Sequence, residues 1–586
     1  MDYRRTHRCH ELRRSHIGHS ISLSGWVHRR RDHGGLIFID LRDRFGVTQL
    51  VFDPERSKKM HAMASMLRSE WVLAVKGKVR ARGEGLTNTK IKTGEIEVEV
   101  EKMQVLSKAK TTPISICDET SEVHEEIRLK YRYLDMRRST IFEKLVMRHQ
   151  AMFATRQFFN SRGFLEINTP ILARSTPEGA RDYLVPSRIY PGSFYALPQS
   201  PQIFKQLLMI GGMDRYFQIA PCFRDEDLRS DRQPEFTQLD VEMSFEYPED
   251  IQRMVYDYFT YLFKTCLNYD LPPSIPVMRY HDCIEHYGTS SPDLRFDMPF
   301  VRIDTIAKRS TFSYFIDQMQ KGGCVKTLCI KGGGDISRKE IERYKNFVAK
   351  FGLLEIFWMK RKSDGLHSSL VKFFPSELQK ELEQLLNIEE GDIVLFAAES
   401  EPIVNQSLNH LRRLIAYERQ LITKEWSFVW VTDFPLFEWD AKEKRYKSVH
   451  HPFTSPHMED LDLFDTDPLK IRSHAYDCVV NGYEIGSGSQ RVHDFEIQKK
   501  IFAILDLDTG EVDEKFGFFI EALQYGTPPH LGIALGLDRI MMMLTKTENI
   551  RDVIAFPKTQ KASDLMLQCP SNISPAQLHE LKIRRE

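Results

Sequence analysis

Residues 221–245 read PCFRDEDLRSDRQPEFTQLDVEMSF, and their chemistry is concentrated charge. Arg224 stands next to the acidic cluster Asp225, Glu226 and Asp227. Beyond it an alternating run, Thr237, Leu239, Val241 and Met243, has the period of a strand. The segment therefore reads as a hairpin whose loop carries charges of both signs. Such a loop suits a substrate that is polyanionic and brings metal ions with it, which describes a nucleoside triphosphate. Three other stretches carry compatible groups. In LPQSPQIFKQLLM, Gln202 and Lys205 open a helix and share a face, so they can offer an amide and a cation to one small zwitterion. In VVNGYEIGSGSQRVHD, strand alternation puts Tyr483, Ile485 and Ser487 on one face and Glu484 on the other, with Gly486 and Gly488. Glycines there would let a planar ligand lie against backbone. In YGTPPHLGIALGLDRIMMML, Arg539 begins an apolar helix, and helix N-termini attract anions. The run KGGG at 331–334 lacks the G-x-x-x-x-G-K-[ST] frame of a phosphate loop, and no G-x-S-x-G nucleophile appears.

The elements that must hold these groups can be read around them. Ile141 to Arg162 has apolar residues at helical spacing, followed by Gly163 and a predicted strand, FLEINTPIL, with Pro170 inside it. Residues 20–106 hold five short strand patterns and one helical stretch, Ser57 to Arg68, the pattern of a five-stranded OB barrel. Arg29, Arg30 and Arg31 end its first strand, and Phe38 lies on the second. Cations beside an aromatic ring suit single-stranded nucleic acid, where phosphates pair and bases stack; a core phenylalanine and a solubilising cluster would read the same way. Residues 108–138 are rich in charge and read as a hinge. Residues 296–422 interrupt the pattern with a strand, a glycine turn, and a helix whose cap is Ser337 with Glu340 in the box position.

At 586 residues the chain is too long for one core. Its formal net charge of zero excludes a globally basic polyanion binder but not a local basic face. The nine cysteines show neither C-x-x-C nor Cys/His pairing, as expected of a reduced cytosolic chain. No signal peptide and no membrane span are predicted.

The order FRDE, loop, RQPEFTQLD resembles the second signature motif of class II aminoacyl-tRNA synthetases, in the wording of the aspartyl branch. GLDR before apolar residues resembles their third motif, and the long helix followed by a proline-bearing strand their first. GWVHRRRD…GGLIFIDLRD is similar to the anticodon domain of that branch. The interruption is similar to the inserted domain of bacterial-type aspartyl-tRNA synthetases, a domain also found on a tRNA-dependent amidotransferase. The resemblance implies a multidomain α+β and all-β chain. Its parts would be an OB-fold barrel (1–107), a hinge (108–138), an antiparallel-sheet catalytic domain flanked by helices and split in two (139–295 and 423–557), an inserted α+β domain (296–422) and a C-terminal extension (558–586).

It also implies ATP-dependent activation of L-aspartate and its transfer to tRNA(Asp) by a cytoplasmic homodimer using Mg²⁺, with a functional link to an amidotransferase. By the resemblance, Arg224, Glu484 and Arg539 are catalytic. Glu178, Gln202, Lys205, Arg224, Asp240, His450 and Arg491 hold aspartate; Asp240 either meets the ammonium or braces Lys205. Arg224, Asp225, Glu226, Gln233, Glu484, Gly536, Leu537, Asp538 and Arg539 bind ATP, and Asp477 and Glu484 hold the metal. Phe38, Gln49 and Glu97 read the anticodon. His33 and Gly85 match the His and Gly of relaxed members, which also charge tRNA(Asn), and so favour that reading over the alternative of a member confined to tRNA(Asp). Two fixed cations, Lys205 and Arg491, argue against the related asparaginyl and lysyl enzymes, because a desolvated charge left unpaired costs several kcal/mol. A non-catalytic tRNA-binding paralogue should have lost Arg224, Glu484 or Arg539, and all three are present.

Overall fold

The computed structural model describes residues 2–117, 122–175, 180–506 and 509–584. Its contacts divide into two compact units, 1–146 with 551–572, and 147–550 with 573–586.

In the first unit, Ser20–His33, Leu36–Asp43, Gly46–Phe52, Ile96–Ser107 and Val72–Ala81 close a barrel in that order. Alternation sends Ile37, Ile39 and Leu41 inward, onto Leu23, Leu50, Val75 and Val98. The helix Lys58–Ser65 starts where Ser57 Oγ accepts the Met60 N–H at 3.3 Å. After the barrel come two short helices, Glu125–Lys130 and Arg132–Asp135. Arg132 is buried, bonded to Asp135, and donates to the carbonyls of Arg551, Ile554 and Ala555. Those carbonyls tie 551–572 to this unit, because each needs a donor once buried.

The second unit is built on an eight-stranded sheet. Its order is Val277–Arg279, Phe428–Thr432, Ala475–Val480, Tyr483–Gln490, His530–Gly536, Glu235–Ser244, Arg215–Phe223 and Leu165–Glu166. The six inner strands are antiparallel and the two edge pairs parallel. The helix Ser139–Ser161 leads into the last edge. That edge is shorter than the predicted strand: it spans Leu165–Glu166, and Pro170 lies beyond it. Past Ile167, whose N–H still donates to Phe217 O, the Gln218 side chain takes over from the ladder, accepting from Thr169 N–H and Oγ, and Pro170 has no N–H to continue pairing.

Within this unit a separate antiparallel sheet runs Phe300–Arg302, Cys324–Ile330, Ile393–Glu399, Phe357–Lys362 and Gly365–His367. Leu328 and Leu395 pack on Leu408 and Leu411 on one face, and Val394 and Phe396 on Phe315 and Leu382 on the other. The helix Arg338–Val348 carries the predicted capping box between Ser337 and Glu340. Lys331 of the KGGG turn is paired with Asp392 at 2.9 Å. Among the described residues no helix is long and apolar enough to cross a membrane.

Candidate active site

The inner strands of the large sheet floor a cavity of about 560 Å³, and it gathers most of the predicted groups. Its closed end is made by two cations. Lys205 projects from the helix Gln202–Ile210 and is 1% exposed, with Nζ 3.1 Å from Asp240 Oδ1 and 3.5 Å from Glu242 Oε2. Arg491 is equally buried and grips Glu242 with two bonds, of 2.8 and 3.1 Å. It also donates to Ser489 Oγ at 2.6 Å and His451 Nε2 at 2.8 Å. Asp240 and Glu242 are two apart on one strand, so both carboxylates face the same way. Gly532 sits opposite Glu242 on the neighbouring strand, and a Cβ there would stand 1.8 Å from Glu242 Oε2. Only glycine leaves space for that carboxylate.

Burial works against every charge in this group, and partners decide the outcome. Burial would raise Glu242, but Arg491 and Lys205 bring it below the ordinary carboxylate range. Burial raises Asp240, and Lys205 offsets this only in part. Burial would lower Arg491, but Glu242 holds it above its usual value. His451 is pushed well below the usual imidazole range by burial and by the Arg491 charge, so it is a neutral acceptor. Gln202 Nε2 and Asp240 Oδ2 are buried without a hydrogen-bond partner. Buried polar atoms of this kind normally have one, so the closed end is chemically incomplete.

The open end begins at Arg224, where the strand Arg215–Phe223 ends. Its guanidinium lies 5.1 Å from the Phe236 ring centre, and its Nε is buried without a partner. Arg539, in the first turn of the helix Leu537–Leu544, donates to Glu484 O at 2.8 Å and reaches Asp231 at 3.1 Å. Glu226 pairs with Arg232 at 2.9 Å, and Gln233 and Gly536 complete this wall. Between the two ends stand Asp477 and Glu484. The Asp477 charge and burial both raise Glu484 above the ordinary carboxylate range. Burial would lower His450, but the Asp477 carboxylate at 3.3 Å raises it instead. A carboxylate raised by a neighbouring carboxylate fits a hard cation, whose charge would remove the repulsion.

Several expectations need correction. Strand alternation grouped Glu484 with Gly486 and Gly488, away from Ser487. A bulge between Cys478 and Val479 shifts the register, so Glu484 joins Asp477 and Ser487 at the cavity. A Cβ on Gly486 would instead strike the Leu535 side chain, and one on Gly488 the Tyr476 ring. These glycines permit close strand packing, and both also line the cavity. Asp240 does not line the cavity; it stands behind Lys205 as its brace. Leu537 is core, and Asp225 is exposed and not part of the cavity lining, its N–H bonded to Arg181 O. Asp538 does reach the wall, but its carboxylate is held by Arg148 and by the Thr237 N–H. Glu178 lies outside the described residues. Glu242, His451, Ser489 and Arg148 were not anticipated. Glu242 was within reach, because strand period alone puts it beside Asp240.

On the barrel, Phe38 is half-buried on the outer face, paired across the ladder with Arg31. Gln49 Nε2 donates to Glu97 Oε2 at 2.7 Å, Arg31 donates to Gln49 Oε1 at 3.1 Å, and Arg80 pairs with Glu97 at 2.8 Å. These groups form one polar cluster. His33, the last residue of its strand, and Gly85, at φ +76°, are exposed.

Residues 124–560 match the family model for class II tRNA synthetases (D, K and N), and residues 21–106 match that of the OB-fold nucleic acid binding domain. The chain belongs to the class II tRNA synthetases of that group. It is 60% identical over 584 residues to the aspartate–tRNA(Asp/Asn) ligase of Protochlamydia amoebophila, covering 100% of this chain and 98% of that protein. It is 56% identical to the enzyme of the same name from Chlamydia muridarum, covering 99% of each. Among solved structures, the asparaginyl-tRNA synthetase of Pyrococcus horikoshii complexed with asparaginyl-adenylate matches with a TM-score of 0.59 at 20% identity, over 94% of this chain and 98% of that one. A putative aspartyl-tRNA synthetase from Leishmania major matches with a TM-score of 0.57 at 18% identity, over 93% and 92%. These two likenesses concern the fold.

Proposed function

We propose that this chain is an aspartate–tRNA ligase that serves both tRNA(Asp) and tRNA(Asn). The observation that carries the reading is the closed end, where two buried cations face the cavity beside the arginines of the open end. Aspartate brings two carboxylates and an ammonium. Its side-chain carboxylate meets Lys205 and Arg491, and Gln202 and His450 lie within the same cavity. The α-carboxylate oxygen attacks the α-phosphorus of ATP, the bond to the β-phosphate bridging oxygen breaks, and pyrophosphate leaves. Arg224 holds the α-phosphate and the attacking carboxylate through its two-pronged guanidinium, and Arg539 holds the γ-phosphate. No enzyme nucleophile is required. Asp477 and Glu484 would hold Mg²⁺, which would neutralise phosphate charge when bound. The terminal 3′-hydroxyl of tRNA then attacks the acyl carbon, and AMP departs.

The barrel cluster of Phe38, Gln49 and Glu97 takes the anticodon, and the exposed His33 and Gly85 admit either third base. The names of the two chlamydial relatives support dual charging. The apolar residues Ile171 and Leu172, 46% and 52% exposed beside the edge strand, support a homodimer through this edge. A cytoplasmic setting, and delivery of the tRNA(Asn) product to an amidotransferase, follow from that reading.

ATP–pyrophosphate exchange with aspartate, asparagine and lysine, followed by charging of purified tRNA(Asp) and tRNA(Asn), tests the proposal. Exchange with aspartate alone and charging of both tRNAs is the expected result. Charging of tRNA(Asp) alone would leave the strictly specific enzyme, and exchange with asparagine, or with none of the three, would remove the assignment.

A further inference from the structure

We propose that Arg148 and Asp538 are positioning residues for the triphosphate, joined with Thr237 into a knot behind the two arginines of the open end. The inference rests on the preceding reading, that Arg224 and Arg539 embrace ATP. The ladder between Glu235–Ser244 and His530–Gly536 ends at the pair Gln238 and Gly536, where the second strand turns into a helix. The N–H of Thr237, one residue further, has no strand beside it on that side. Asp538 Oδ2 accepts it at 2.7 Å. Asp538 Oδ1 accepts from Arg148 Nη1, and Arg148 Nη2 donates to Thr237 Oγ at 2.9 Å. The helix Ser139–Ser161 supplies Arg148, so three separate elements meet at one carboxylate that is 2% exposed.

The position of the knot gives it a function. Asp538 precedes Arg539, and Thr237 follows Phe236, on whose ring the Arg224 guanidinium rests. Arg539 is therefore one residue from the knot, and Arg224 rests on a ring that is one residue from it. Charge adds a second reason. Asp538 lies on the wall where a polyphosphate would sit, and an unpaired carboxylate there would repel it. Arg148 neutralises that carboxylate while fixing its direction. Asp538 therefore acts through its neighbours, with both of its oxygens already engaged by the protein.

The test is ATP–pyrophosphate exchange by the full chain carrying Arg148→Met, Asp538→Asn, or both, at varied ATP and varied aspartate, with thermal unfolding alongside. Each single change is expected to raise the KM for ATP about tenfold and leave that for aspartate in place. The double variant should be no worse than the worse single one, because both remove one unit. Arg148→Lys should recover part of the loss. Damage from Asp538→Asn with Arg148→Met silent would mean that Asp538 touches the nucleotide itself, and would overturn the proposal. So would lowered melting temperatures with an unchanged KM for ATP, which would leave only a structural brace. Should a variant not fold, Thr237→Val removes the hydroxyl acceptor alone and is read by the same criteria. Failure of the unmodified chain to exchange with aspartate would sink the functional reading instead.

Discussion

At the closed end of the cavity, Lys205 and Arg491 are each 1% exposed and are matched by Asp240 and Glu242 from a single strand. At the open end, the side chains of Arg232 and Arg539 are 42% and 27% exposed and pair with Glu226 and Asp231 on the loop. Both ends present arginine to an anion, yet they differ in what the protein's own carboxylates do. Buried partners are mutually required, since removing one strands the other at a cost of about 3–5 kcal/mol. Exposed pairs contribute about 0–1 kcal/mol and can exchange partners. On the proposed reading the closed end is a rigid template for one small dicarboxylate. The open end is a set of loosely matched charges, and its arginines can leave Glu226 and Asp231 for phosphate oxygens.

The largest effect should come from breaking the template. From the sequence alone, Arg491→Leu would abolish aspartate activation with little effect on folding. The structure changes the second half of that expectation, because the substitution leaves Glu242 buried and uncompensated. We expect exchange to be lost and stability to fall by about 3–5 kcal/mol, read by denaturant unfolding. The double variant Arg491→Met with Glu242→Leu should regain most of that stability without regaining exchange. An Arg491→Leu chain as stable as its parent would show that the closed end is not a template held by mutual burial.

Arg539→Met makes the contrasting change at the open end. It should lower kcat/KM for ATP by about tenfold to a hundredfold, the effect of losing a charged hydrogen bond. Stability should shift by no more than about 1 kcal/mol, because the partner Asp231 remains partly solvated. Equal losses of stability in Arg491→Leu and Arg539→Met would erase the distinction between the two ends.

Which of these features could be read in the sequence follows the same division. Strand and helix periods place Gln202 and Lys205 on one helical face, and the charged hairpin announces a polyanion. The barrel and the capped helix at Ser337 are equally local, written in alternation, turn residues and a capping box. What escaped depends on contacts between distant segments. The bulge that brings Glu484 beside Asp477 breaks the alternation used to place it. Arg148 and Asp538 are far apart in sequence, so no spacing rule links them. Asp225 and Leu537 lie in recognisable motifs, but a motif does not say which of its side chains turn inward. The brace Asp240 and the missed Glu242 show a finer limit: alternation finds the face, and only packing decides which carboxylate touches the ligand.

The smallest expected effect concerns acid, and it separates the two ends once more. Burial and the Arg491 charge hold His451 well below the usual imidazole range, and burial lowers His530, on the strand that backs the same end. Outside the cavity, burial and then His457 push His474 down to about 4. All three therefore have a folded pKa below the unfolded value of about 6.5. On acidification the unfolded chain takes up these protons first, so the stability they contribute is present above pH about 6.5 and drains away as pH falls through the window beneath it. His450, raised by Asp477 despite its burial, has the opposite sign: its contribution is present below pH about 6.5 and is lost as pH climbs through its raised value. Melting temperatures of the ligand-free chain between pH 7 and pH 4 should therefore fall. His451→Gln keeps an acceptor for Arg491 but does not titrate, so its curve should be shallower than the parent's. Arg539→Met should leave the slope unchanged, since none of these histidines pairs with it. A parent-like slope in His451→Gln would mean that the closed end does not hold this ring neutral, and the template would then be looser than its burial implies.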